Sequence, residues 1–239
     1  MATPFLCQPI QHGADIVVHS TTKFLSGHGN AMGGAIVDSG TFDWAQNDKY
    51  PSLAQPEEAY HGLNFYESFG DLAYTTYGHA VGLRDLGPTM APMNAYLTIM
   101  GIETLALRME KHVANAEVVA NYLHNHAKVS WVSYAGLEES NYFHLAKKYL
   151  PKGAGSVFTF GIKGGYDAGV KFVEKCQLLS HLANIGDTRS LVLHPASTTH
   201  RQLTETQRIS AGAGDDVIRL SIGLETVEDI IADLEQALR

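Results

Sequence analysis

An apolar run that breaks abruptly into hydroxyls and glycines sets the first constraint on this chain: Asp15-Ile16-Val17-Val18-His19-Ser20-Thr21-Thr22-Lys23-Phe24-Leu25-Ser26-Gly27-His28-Gly29. Its β-branched start reads as a strand over 14–18, delivered straight into a polar turn that presents one amine. A lysine in low-polarity surroundings loses its proton more readily and can attack an aldehyde. The neighbouring Ser20, Thr21 and Thr22 supply hydroxyl donors suited to a phosphate, and Gly27 and Gly29 allow close backbone approach. Residue types alone leave two readings open: a solvated lysine at a strand end, or an amine set in a phosphate cradle for pyridoxal phosphate (PLP).

The rest of the chain bounds the architecture. At 239 residues and 45% hydrophobic content it can bury a large core, as one domain or two. A net charge of -8 with scattered Lys and Arg argues against nucleic acid or an anionic membrane as partner. Cys7 and Cys176 are too few for a disulfide framework and lack metal-ligand spacing, which makes a reducing cytoplasm the expected compartment. The histidines show no helical pair backed by a carboxylate, so no metal is expected. His194 and His200 are read as bonding backbone groups.

Following the turn, Gly34–Asp38 reads as a short buried strand. Residues 47–92, rich in proline and aromatics, read as a long functional loop with some helix, or as a loop packed on its own rings. From Met93 to Leu123 apolar residues recur at helical spacing, predicting one long helix. Beyond it, strands over 129–133, 156–162, 190–193 and 217–222 alternate with helices over 141–149 and 166–179 and a last helix capped by Thr226, an α+β pattern. In the strand Val217-Ile218-Arg219-Leu220-Ser221-Ile222, period-2 alternation places Ile218 and Leu220 on one face, Arg219 and Ser221 on the other. A guanidinium there suits a carboxylate, either of an ordinary ion pair on the sheet face or of an amino-acid substrate.

Asp15–Gly29 resembles, position for position, the PLP-attachment signature of the Cys/Met-metabolism PLP-dependent enzymes. Ile218–Glu225, Leu191–His200 and Gly101-Ile102-Glu103-Thr104-Leu105 resemble further segments of that family. Asn184-Ile185-Gly186-Asp187-Thr188-Arg189-Ser190, the stretch from Tyr50 to Asp85 and that from Gly29 to Trp44 are similar to its O-acetylhomoserine sulfhydrylase branch. The resemblance implies an α/β fold, the type I PLP-dependent transferase fold (aspartate aminotransferase-like). Residues 1–107 would be the C-terminal part of the PLP-binding large domain, with the loop 47–92, and 108–239 an α+β C-terminal domain. It implies that Lys23 carries PLP as a Schiff base, that Ser20 and Thr22 bind its phosphate, and that Arg219 and Asn184 hold the substrate α-carboxylate. Sulfide or a thiol would then replace acetate, with cystathionine γ-synthase or methionine γ-lyase chemistry as the alternative. It further implies a homo-oligomer, tetrameric at full length. The family's partner aspartate for the pyridinium, its ring-stacking aromatic and its glycine turn would precede Met1. The chain by itself is therefore expected to bind PLP poorly or to be inactive without an N-terminal half.

Overall fold

The computed structural model describes residues 2–239, which fall into two compact units. The smaller comprises Gln8–Ser20 and Met32–Tyr96, the larger residues 2–7, Thr21–Ala31 and Leu97–Arg239.

In the smaller unit, β1 (Ile16–Ser20) pairs antiparallel with β2 (Gly34–Asp38), from Ile16 opposite Asp38 to Ser20 opposite Gly34. The bounds of β2 are those its sequence predicts, but its burial is not. Ile36 is 59% exposed, because β1 is its sole strand partner among the described residues and a cavity, not close packing, lies between it and Tyr74 and Leu83 of the helices. The stretch expected to be a long loop is a succession of short helices: α2 (Pro51–Ala54), α3 (Phe65–Phe69), α4 (Ala73–Tyr77) and a π-helical turn at Gly78–Asp85. Asn64 caps α3 by accepting from Glu67 N at 3.1 Å. These helices close around buried Trp44, Leu53, Phe65 and Ala73, with Tyr74 stacked on Trp44 at a centroid distance of 5.3 Å.

The larger unit is a five-stranded sheet with helices packed on it. Its order is β3 (Val129–Ser133), β4 (Val157–Ile162), β7 (Val217–Ser221), β6 (Leu191–Leu193), β5 (Ser180–His181), antiparallel except for the parallel β5–β6 pair. A short α1 (Thr3–Leu6) lies against α6 (Leu105–His124). The remaining helices are α5 (Pro92–Glu103), which begins in the smaller unit, α7 (Phe143–Tyr149), α8 (Gly165–Lys175), α9 (Glu205–Ser210) and α10 (Val227–Leu238). Ala116, Val119, Ala120 and Leu123 of α6, Phe172 of α8 and Ile230 and Leu234 of α10 meet Phe158, Phe160, Ile218 and Leu220 of the sheet in one core.

Two expectations need correction. The single helix expected over 93–123 is broken at Thr104, whose backbone (φ -105°, ψ 7°) leaves the helical range while its hydroxyl bonds back to Gly101 O at 3.3 Å. Thr226 does not cap α10 with its side chain; its carbonyl instead accepts from Asp229 N and Ile230 N.

Candidate active site

Lys23 sits in the π-helical turn Thr21–Leu25, which follows β1 and has a non-helical break at Lys23 itself. Buried Phe24 and Leu25 anchor the turn among Leu6, Leu105, Met109 and Val113. Ser26 N bonds Thr21 O and Gly27 N bonds Lys23 O, at 3.0 and 2.8 Å, while Lys23 remains half-buried. Its Nζ donates to Asn184 Oδ1, a residue 161 positions away in sequence. Arg219 on β7 donates through Nη2 to the backbone carbonyl of the same Asn184 at 3.3 Å. One asparagine thus joins the lysine and the arginine that the sequence singled out.

Strand alternation explains how Arg219 reaches this position. Ile218 and Leu220 are fully buried in the core, and Arg219 and Ser221 turn to the opposite face. Ser221 Oγ accepts from Gly186 N at 2.9 Å, and Thr188 N donates to Gly27 O at 2.8 Å, so the segment 184–190 is tied both to β7 and to the lysine turn. Gly186 (φ +75°) is forced to be glycine twice over, since a Cβ there would stand 2.7 Å from Phe24 N. Beneath the turn, Asp187 is buried and accepts from Arg189 N at 3.1 Å.

Of the two expected phosphate donors, Thr22 is half-buried within the turn, and Ser20 is exposed at the end of β1 in the smaller unit. Thr21 Oγ1 and Ser26 Oγ, at either end of the lysine turn, are buried without a hydrogen-bond partner among the described residues. Arg219 belongs to none of the ion pairs among the described residues, and burial lowers its pKa. A desolvated cation facing only a carbonyl lacks its natural counter-ion. An amine, unspent hydroxyls beside it and an unpaired guanidinium are the donor set that PLP and an amino-acid carboxylate require, so the residues fit the group. Among the described residues no three His, Cys, Asp or Glu side chains are grouped to hold a metal ion. His194 bonds Asp215 O at 2.9 Å and Ser197 Oγ.

The residues that the sequence did not flag lie on α6. Arg108 and His112 are buried polar residues on a helix face read as apolar, and that mismatch was the available signal. His112 Nδ1 donates to Ile222 O at 2.7 Å and its ring stands edge-on to Phe24 at 5.2 Å. Burial, and to a lesser degree Arg108, push its pKa from 6.5 down to about 4, against smaller opposing effects from Ile222 O, Glu225 and Asp187. Between those values the unfolded chain takes up a proton that the folded chain refuses, so acidification favours unfolding. The His112 contribution should therefore lower stability as pH drops from about 6.5 toward 4, by up to about 3 kcal/mol. Urea midpoints measured across that range test this, with His112→Asn expected to flatten the slope.

The Cys/Met metabolism PLP-dependent enzyme family model matches residues 1–239, and the chain belongs to that family. It is 48% identical over 248 residues to the O-acetyl-L-homoserine sulfhydrylase of Leptospira meyeri, covering 100% of this chain and 56% of that protein. Against the homocysteine synthase of Schizosaccharomyces pombe it is 52% identical over 235 residues, 98% of this chain and 55% of the relative. The crystal structure of a Campylobacter jejuni protein described as a putative O-acetylhomoserine (thiol)-lyase, with an N'-pyridoxyl-lysine-5'-monophosphate, superposes with a TM-score of 0.94 at 44% identity. That match covers 99% of this chain and 56% of the other, and the fold is accordingly the α/β fold of the type I PLP-dependent transferases. The chain spans about half the length of the curated relatives it matches. No helix among the described residues is long and apolar enough to cross a membrane.

Proposed function

We propose that this protein serves the γ-replacement reaction of an O-acetylhomoserine sulfhydrylase, in which sulfide or a thiol displaces acetate from O-acetyl-L-homoserine to give homocysteine or methionine. The observation that carries the reading is the meeting of Lys23 and Arg219 on the side chain and backbone of Asn184. Names of relatives at 48% and 52% identity support the choice of substrate.

Bound PLP supplies an electron sink for the bonds at the substrate α-carbon. Lys23 would hold the cofactor covalently through Nζ, and its amine would move protons between the substrate carbons. Thr22 and Ser20 donate hydroxyl hydrogen bonds to the phosphate. Arg219, with the Asn184 loop, grips the α-carboxylate and so fixes the direction of the α C–H bond. In this reading residues 1–107 belong to the cofactor-binding domain and 108–239 to the α+β domain. The working form is a cytoplasmic homo-oligomer.

Two measurements on the enzyme carrying this sequence test the proposal. Borohydride reduction in the presence of PLP, followed by peptide mapping, is expected to leave a pyridoxyl group on Lys23. Incubation with O-acetylhomoserine and sulfide should release homocysteine and acetate in equal amounts. Cystathionine formation when cysteine is supplied, or 2-oxobutyrate release, with no homocysteine, would replace this activity by that of a γ-synthase or γ-lyase.

A further inference from the structure

We propose that Arg108 is a positioning residue for the Lys23 amine. It is the first member of a polar stripe on α6, Arg108, His112 and Asn115, that locks the lysine turn to the end of the arginine strand. The inference rests on the reading of Lys23 as the cofactor-bearing residue.

The Arg108 side chain is 6% exposed, and every acceptor that the structure gives it is neutral. Nη1 donates to Phe24 O at 2.8 Å, Nη2 to Gly101 O at 2.6 Å and Leu25 O at 3.4 Å, and Nε to Thr104 Oγ1 at 3.1 Å. Two of those carbonyls belong to the residues immediately after Lys23. The turn reverses at Gly27 (φ +74°), so no continuing helix supplies donors to them. The planar fork of a guanidinium spans several carbonyls at once, which a lysine ammonium does not reproduce.

Two glycines make room for this arrangement. A Cβ on Gly27 would lie 2.2 Å from Arg108 Nη1, and one on Gly101 would lie 2.3 Å from Ser26 O. Gly101 therefore lets α5 close on the turn at the point where its own carbonyl meets the guanidinium. A buried cation without a carboxylate, in a pocket that excludes Cβ atoms, costs the fold stability. A geometric task at the turn accounts for that expense.

Spacing carries the argument to the other half of the site. Arg108, His112 and Asn115 stand at i, i+4 and i+7, on one face of α6. His112 holds Ile222 O, and Asn115 Nδ2 donates to Gly223 O and Glu225 O at 3.0 and 2.8 Å. Ile222 follows directly on β7, which carries Arg219. One rigid helix face thus grips the chain next to Lys23 and the chain next to Arg219, whose functional groups must hold their relative placement within about 0.5 Å to work together.

The test compares Arg108→Lys with Asp233→Asn. Asp233 is a buried carboxylate on α10 that accepts from the backbone N–H groups of Gln177, Leu178 and Leu179, remote in sequence from both grips, so its variant serves as a destabilised control. Three readouts are taken: the rate at which PLP becomes reducible onto Lys23 in apo-enzyme, the split between kcat and KM, and the urea midpoint. Arg108→Lys is expected to slow capture about tenfold and to lower kcat about tenfold or more, with KM for the amino acid within about threefold. Asp233→Asn should lower the midpoint and leave capture unchanged. Wild-type capture by Arg108→Lys, or equal slowing in both variants, overturns the proposal. Should Arg108→Lys fail to fold, Thr104→Val decides: it removes the acceptor of Nε together with the hydroxyl's own bond to Gly101 O, leaves the three guanidinium bonds to carbonyls in place and is expected to slow capture about threefold, and an unchanged rate overturns the proposal. Capture at Lys23 by a wild-type enzyme that makes no homocysteine would sink the activity proposed above and leave this inference standing.

Discussion

Lys23→Ala is expected to abolish borohydride capture of PLP and to lower homocysteine formation by about 10³-fold or more, the combined loss of a nucleophile and a proton carrier at one atom. The fold should survive. Lys23 is half-buried and its Nζ has Asn184 Oδ1 as its hydrogen-bond partner, whereas the turn is held by buried Phe24 and Leu25 and by the Arg108 guanidinium. An unfolding free energy within about 0.5–1 kcal/mol of wild type, read from urea titration, is therefore expected. Lys23→Arg keeps the charge but offers a group that is protonated throughout the working range, and it should be as inactive as the alanine variant. Reducible PLP on a different lysine of Lys23→Ala, together with undiminished turnover, would remove Lys23 from the chemistry.

Local patterns carried much of this architecture, because strand and helix periods depend on neighbours. The bounds of β2 were legible from a short apolar run bounded by glycine, the inward face of β7 was legible from alternation, and that alternation also put Arg219 on the face where the structure has it. What local pattern could not supply was partnership over distance. Asn184 was singled out as a carboxylate ligand by family resemblance, yet no spacing rule links it to Lys23, 161 residues earlier. The exposure of β2 has a related cause: an apolar strand centre says what could be covered, and Ile36 faces the helices of its unit across a cavity and not in close contact. Thr104 shows a third kind of failure. Its helical neighbours hid a break at which Thr104 Oγ1 both bonds Gly101 O and accepts from Arg108, whose guanidinium goes on to the lysine turn at Phe24 O and Leu25 O.

Arg219→Ala is expected to raise KM for O-acetylhomoserine by about 10²-fold or more, with a smaller change in kcat. Each charge-assisted hydrogen bond to a carboxylate contributes about 1.5–3 kcal/mol, and a bidentate grip loses two of them. The carboxylate stays charged throughout the reaction, so the loss falls on ground state and transition state alike and appears chiefly in KM. Burial lowers the pKa of this guanidinium, but an arginine retains its charge at neutral pH, so the anion-binding role proposed for it would persist across the working range. Arg219→Lys restores a point charge without the planar fork and should recover about tenfold of the loss. The second substrate separates carboxylate binding from general damage: sulfide carries no carboxylate, so its KM should stay within about twofold of wild type in both variants. Because the hydrogen bond given to the Arg219 side chain is one of 3.3 Å to Asn184 O, stability should change by less than about 1 kcal/mol. A wild-type KM for O-acetylhomoserine in Arg219→Ala, or equal rises for both substrates, would show that the guanidinium does not hold the amino acid and that the carboxylate is bound elsewhere in the enzyme.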